Sequence, residues 1–181
     1  MSKAVVSLDV GFANTGVAVF QDGIPVMCDH FETAPSDKKR KVRQMDDDSR
    51  RVQEMFRQLS QVVQQREIGA LVVEKPHGGA QSAKAMAGMA RASTIADCLV
   101  EAHRLPYVNV IPIDLKKAVG GKKSASKEQI QQGVVHLYGE YKAVQDAQKM
   151  AKSKWEHIAD ALAAYWTARD DSVIRLLESG Y

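Results

Sequence analysis

Asp9 is a carboxylate inside an otherwise apolar, β-branched run, Ala4-Val5-Val6-Ser7-Leu8-Asp9-Val10. Burying such a group costs several kcal/mol unless it is paired, hydrogen-bonded or bound to a cation. It stands where the run meets the turn-rich stretch Gly11-Phe12-Ala13-Asn14-Thr15-Gly16. Backbone N–H groups of that turn could cap it, or it could face a ligand at the end of a strand. Glu74 repeats the pattern, closing Ala70-Leu71-Val72-Val73-Glu74 ahead of Lys75-Pro76. Alone it could be a surface strand end paired with Lys75. On neighbouring parallel strands, however, Asp9 and Glu74 would emerge at one edge. Two carboxylates a few ångströms apart call for a shared proton or a divalent cation. His157 and Asp160, three residues apart in Trp155-Glu156-His157-Ile158-Ala159-Asp160, lie on one helical face. A solvated face is the plain alternative for such a pair. Oxygen ligands such as Asp9, Glu74 and Asp160 suit Mg²⁺, and an imidazole widens the choice to Mn²⁺ or lets His157 act as a base. Glu156 points about 100° away from His157 on a regular helix and ranks lower as a ligand.

These residues need a scaffold that brings two strand ends and a helix together. Residues 4–10 read as a buried strand, 17–20 resume one after the turn, and Asp22-Gly23 is a hairpin signal leading into a third strand over 24–32. Residues 36–51 carry the basic cluster Lys38, Lys39, Arg40, Lys41, Arg43 and then Asp46-Asp47-Asp48, the look of a mobile, solvated connection. Val52, Met55, Phe56, Leu59, Val62 and Val63 recur at helical spacing within 48–65. A strand over 70–74 follows, so strand, crossover helix and strand predict a parallel pair. Further elements are a helix over 80–103, a strand over 107–111, a short helix over 113–119, a helix from Ser126 to about 138 and a helix over 155–169, with 139–154 polar and Lys-rich. The layout is α/β, with a mixed five-stranded sheet of three antiparallel strands and then parallel ones, flanked by helices.

The 181 residues predict a single domain over 1–181. With 45% hydrophobic and 26% charged residues the chain is neither disordered nor fibrous. Two cysteines, Cys28 and Cys98, exclude a disulfide scaffold and lack zinc-site spacing. The N-terminal run contains Asp9 and lacks the form of a signal peptide, and no window suits a membrane span, which points to a cytoplasmic protein. A net charge of only +3 does not announce a nucleic-acid binder. The charges are segregated, though: Lys116, Lys117, Lys122, Lys123 and Lys127 come with no acidic residue between them.

Taken together, SLDVGFANTGVAV, VVEKP and HIADALAAYW, in this order, resemble the RuvC-type Holliday junction resolvases, homodimeric endonucleases of the ribonuclease H-like superfamily. The resemblance runs from about residue 4 to 168. The opening D-x-G-x-x-x-T-G is shared with actin-like ATPases and sugar kinases, whereas the closing H/D-x-x-D-A-L-A helix is sharper. AQSAKAMAGMARASTIADCL is similar to the helix that carries the family's dimer interface. The resemblance implies a ribonuclease H-like fold and metal-dependent cleavage of four-way DNA junctions by paired nicks. It makes Asp9, Glu74, His157 and Asp160 both the catalytic residues and the metal ligands. They would hold Mg²⁺ or Mn²⁺, two ions about 4 Å apart, one activating water and the other stabilising the leaving 3′ oxygen. It assigns Lys116, Lys117, Lys122, Lys123 and Lys127 to the DNA backbone, with Lys116 and Lys127 the best-matched pair. The family's aromatic wedge after the glutamate is missing from Lys75-Pro76-His77-Gly78-Gly79, which leaves His77 as the stacking residue and would suit a phage or viral branch. Two alternatives stand beside this reading: a YqgF-type ribonuclease H-like nuclease acting on RNA, and a catalytically inactive branched-DNA-binding module. An ATP-binding actin-like or kinase domain would need a longer chain.

Overall fold

A computed structural model describes residues 3–75 and 82–179. The first three strands, β1 (Ala4–Val10), β2 (Asn14–Gln21) and β3 (Ile24–Glu32), form an antiparallel meander. The turn between β2 and β3 is the predicted two-residue hairpin. Asp22 and Gly23 both adopt positive φ, 52° and 76°, the conformation that matches strand twist. Helix α1 (Gln44–Gln64) crosses over to β4 (Ile68–Glu74), which lies parallel to β1. Helix α2 (Ala83–His103) then leads to β5 (Tyr107–Val110), parallel to β4. The sheet order is β3-β2-β1-β4-β5, the mixed five-stranded arrangement expected. Five helices follow: α3 (Pro112–Gly120), α4 (Lys127–Tyr138), α5 (Lys142–Ala147), α6 (Lys152–Ala168) and α7 (Ser172–Glu178).

Both faces of the sheet are covered, which explains why β1 and β4 read as continuous apolar runs. On one face Val6, Leu8, Val17, Val19, Leu71 and Val73 pack against Met55 and Leu59 of α1 and Ile95 and Leu99 of α2. On the other, Val5, Ala18, Phe20, Ala70 and Val72 pack against Ile158, Ala161, Leu162 and Tyr165 of α6. The Phe20 and Tyr165 rings stack with centroids 3.6 Å apart. Helix α6 is pinned to the sheet by a buried bond from Ser7 Oγ to the Ala161 carbonyl, 2.7 Å. It also lies directly over Gly16, where a Cβ would stand 1.9 Å from the His157 carbonyl oxygen. Glycine is required there for the close approach.

Three stretches differ from expectation. Residues 36–51 are not a loose connection. A 3-10 turn spans Lys38–Arg40, and α1 already begins at Gln44. Asp46 and Asp47 fall in its first turn, where acidic residues complement the helix dipole. Asp47 accepts from the backbone N–H and hydroxyl of Ser36, and Asp48 pairs with Arg91 of α2 at 2.9 Å. The polar 139–154 segment contains α5, which buries Val144 and Ala147. Beyond the predicted last helix, α7 is capped by Asp171, whose carboxylate accepts from the Val173 N–H at 2.9 Å, and buries Ile174. Among the described residues, no helix is long and apolar enough to cross a membrane.

Candidate active site

The parallel register pairs Asp9 with Glu74, so both carboxylates leave the C-terminal ends of adjacent central strands. Helix α6, seated by Ser7 and Gly16, brings His157 and Asp160 over the same edge. His157 Nδ1 lies 2.7 Å from Asp9 Oδ2 and donates to it. Among the described residues, the buried Glu74 Oε2 has no hydrogen-bond partner. The four predicted residues therefore converge. They are not a finished cage: among the described residues no three His, Cys, Asp or Glu side chains are grouped tightly enough to hold a metal ion. The alternative, a strand-end Glu74 paired with Lys75, does not occur, because Lys75 Nζ turns to Asp97 of α2 at 2.6 Å and lies over the Tyr107 ring.

The electrostatics show the cost of this convergence. Burial pushes the Glu74 carboxyl up to about 9, and the charges of Asp9 and Asp160 push the same way, against Lys116 and Lys127. Burial, with Asp9 second, raises Asp160 to about 7. His157 is raised by its hydrogen bond to Asp9, with burial opposing. A group whose value rises on folding stabilises the fold below its ordinary value and loses that contribution as pH climbs through the folded one. Stability in EDTA is therefore expected to fall from the ordinary carboxylate values of 3.8 and 4.5 through about 7 for Asp160 and about 9 for Glu74, with His157 acting in the same direction. Glu74→Gln should flatten this decline and stabilise the protein at pH 8 by about 2–4 kcal/mol. Thermal melting across pH checks it, and a variant that melts below wild type at pH 8 would contradict this account.

Two depressions flank Glu74. One, of about 330 Å³, is lined by Asp9 and Glu74 together with Phe12, Gly88, Met89 and Pro112. The other, of about 340 Å³, is lined by Glu74, Asp160, Lys116, Lys127 and Leu115. Lys116 and Lys127 thus share a depression with two of the carboxylates. Lys117 is paired with Asp114 at 3.3 Å, and Lys122 and Lys123 are exposed at the turn after α3. His77 lies outside the described residues.

Two neighbours of the site, His30 and Phe12, were not anticipated from sequence, and Glu156, ranked low there as a ligand, takes another partner. His30, on β3 and 9% exposed, stands beside His157 with ring centroids 5.6 Å apart, and among the described residues neither of its ring nitrogens has a hydrogen-bond partner. Its only sequence signal is an imidazole at a strand position opposite Gly16. Phe12, in the turn after β1, carries the guanidinium carbons of Arg51 and Arg91 over its ring at 4.2 and 5.2 Å. Glu156 forms an ion pair with Lys127.

The profile of the family described as crossover junction endodeoxyribonuclease RuvC matches residues 5–167. The chain belongs to this family. By family it is a Holliday junction resolvase, a metal-dependent DNA endonuclease. Among solved structures, the chain is similar to Thermus thermophilus RuvC in complex with Holliday junction substrate, with a TM-score of 0.68 and 19% identity over 91% of this chain and 92% of that one. It is also similar to a second Thermus thermophilus RuvC structure, with a TM-score of 0.65, 20% identity and the same coverage. At these identities the likeness establishes the ribonuclease H-like fold. A comparison with curated protein sequences gives no match. RuvC enzymes depend on divalent metal, and the donor set suits one. Three carboxylates, one with an orphaned buried oxygen, and one imidazole are hard to borderline ligands whose mutual repulsion a cation would relieve.

Proposed function

We propose that Asp9, Glu74, Asp160 and His157 form the catalytic and metal-binding site of a resolvase that nicks four-way DNA junctions in pairs. One nuclease domain over residues 1–181 supplies one site, and a homodimer supplies two related by a two-fold axis. The supporting observation is the Asp9–Glu74 register beneath His157 and Asp160 in a chain of the RuvC family. The four side chains would hold Mg²⁺ or Mn²⁺, two ions per site. When bound, these cations activate the attacking water and stabilise the leaving 3′ oxygen. The protein's own groups do the rest. The Asp9 carboxylate orients the His157 ring through Nδ1, leaving the opposite nitrogen free to bind a cation or take a proton. Lys116 and Lys127 meet the phosphate backbone beside Glu74 and Asp160, while Lys117, Lys122 and Lys123 extend the basic surface outward. Branched DNA as the partner is supported by the junction bound to the Thermus thermophilus relative. For the dimer, the support is the outward face of α2, where Ala83, Met86 and Ala90 are exposed, with Met86 at 59%.

The test is incubation with labelled four-way junction, linear duplex and structured RNA, with Mg²⁺, Mn²⁺ or EDTA. Symmetric paired nicks on the junction alone, dependent on either cation, are expected. Cutting of RNA with the junction spared would move the assignment to a YqgF-type nuclease. Tight junction binding with no cleavage under either cation would leave a branched-DNA-binding module.

A further inference from the structure

Glu156 lies outside the four converging side chains, yet it is not a free surface carboxylate. It accepts from the ammonium of Lys127, the first residue of α4, across 29 positions of sequence. Glu156 is 24% exposed and Lys127 66%. The Lys127 backbone is already fixed, because Ser126 and Gln129 form a reciprocal capping box at the start of α4. What the cap leaves free is the long side chain. Lys127 also lines the depression that holds Glu74 and Asp160, and its charge opposes theirs. The two carboxylates that line the same depression would, when ionised, draw this ammonium inward. There it would sit in the space the site's own cations need. Glu156 supplies a competing negative charge on the outer side.

We infer that Glu156 is a positioning residue that holds the Lys127 ammonium at the mouth of the carboxylate site, turned outward to meet a DNA phosphate. The inference rests on the reading of Lys127 as a phosphate contact. Glu156 acts through Lys127 alone, so its effect should vanish when Lys127 is absent. A residue that merely supported α6 would keep its effect.

Wild type, E156Q, E156D, K127A and the E156Q/K127A double variant are compared on a four-way junction under single-turnover conditions, with DNA affinity measured separately in EDTA. E156Q is expected to slow cleavage about fivefold, the scale of one partly exposed ion pair. Junction affinity should stay within about twofold, and E156D should recover most of the rate. E156Q should add nothing to K127A. Labelling by acetic anhydride without DNA gives a readout apart from activity. Lys127 should acetylate at a different rate in E156Q than in wild type, while Lys149, which pairs with Asp146, stays unchanged. A wild-type cleavage rate in E156Q, a further loss on adding E156Q to K127A, or an unaltered Lys127 labelling rate overturns the inference. A wild-type rate in K127A overturns the reading of Lys127 itself, and the role of Glu156 falls with it.

Discussion

Asp9→Asn is expected to abolish junction cleavage while leaving junction binding and folding nearly intact. Asparagine keeps the shape of the side chain and one oxygen that can accept from His157 Nδ1, so the 2.7 Å contact can persist. It removes the charge. That charge is what a divalent cation would bind most directly, and several kcal/mol of transition-state stabilisation correspond to a rate loss of about 10³-fold or more. The same charge is also one of those that push Glu74 and Asp160 upward, so its removal eases the crowding of carboxylates. An inactive protein that melts no lower than wild type at pH 8 is therefore the signature, together with unchanged junction affinity in EDTA. A variant that nicks at the normal rate would sink the site assignment. A variant that loses both activity and its melting transition would make Asp9 a structural carboxylate.

Asp9 was legible because it interrupts a strand buried on both faces, where every other position is apolar or a small hydroxyl. Glu74 was legible for the same reason, and the crossover helix between them made the strands parallel, which put both at one edge. The pairing of His157 with Asp160 followed from helical spacing. What could not be read is what tertiary packing alone creates. His30 reaches His157 through the antiparallel register that sets it opposite Gly16, and no local pattern in β3 announces this. Lys127 finds Glu156 on another helix, so a run of five lysines that looks uniform in sequence divides in space. Lys116 and Lys127 go to the carboxylates, Lys117 to Asp114, and Lys122 and Lys123 to solvent. Helices α5 and α7 are six and seven residues long, too short for an apolar period to establish itself. They exist because the core they cover is already formed.

Gly16→Ala is the second large effect expected, and its signature is the opposite of that of Asp9→Asn. Gly16 sits on β2 directly across from Asp9, under the turn of α6 that carries His157. An added Cβ would stand 1.9 Å from the His157 carbonyl oxygen, 2.2 Å from its carbon and 2.8 Å from the Ile158 nitrogen. All three are backbone atoms, so no side-chain rotation relieves the clash. Either the N-terminal half of α6 lifts off the sheet or β2 bends away. Forced overpacking of this kind costs about 1–3 kcal/mol, which for a chain of this size lowers the melting temperature by roughly 2–12 °C. The functional loss should exceed what this destabilisation explains, because lifting α6 draws His157 away from Asp9 and Asp160 away from Glu74. Cleavage measured well below the melting transition separates the two effects. Gly88→Ala provides the stability control. Among the described residues its Cβ would come no nearer than 3.9 Å, at Phe12, and alanine in a helix is favoured over glycine, so its melting temperature should match or exceed wild type. If Gly16→Ala melted and cut as wild type does, α6 would not be seated on β2 at this distance, and the delivery of His157 and Asp160 to the strand-end carboxylates would need another explanation.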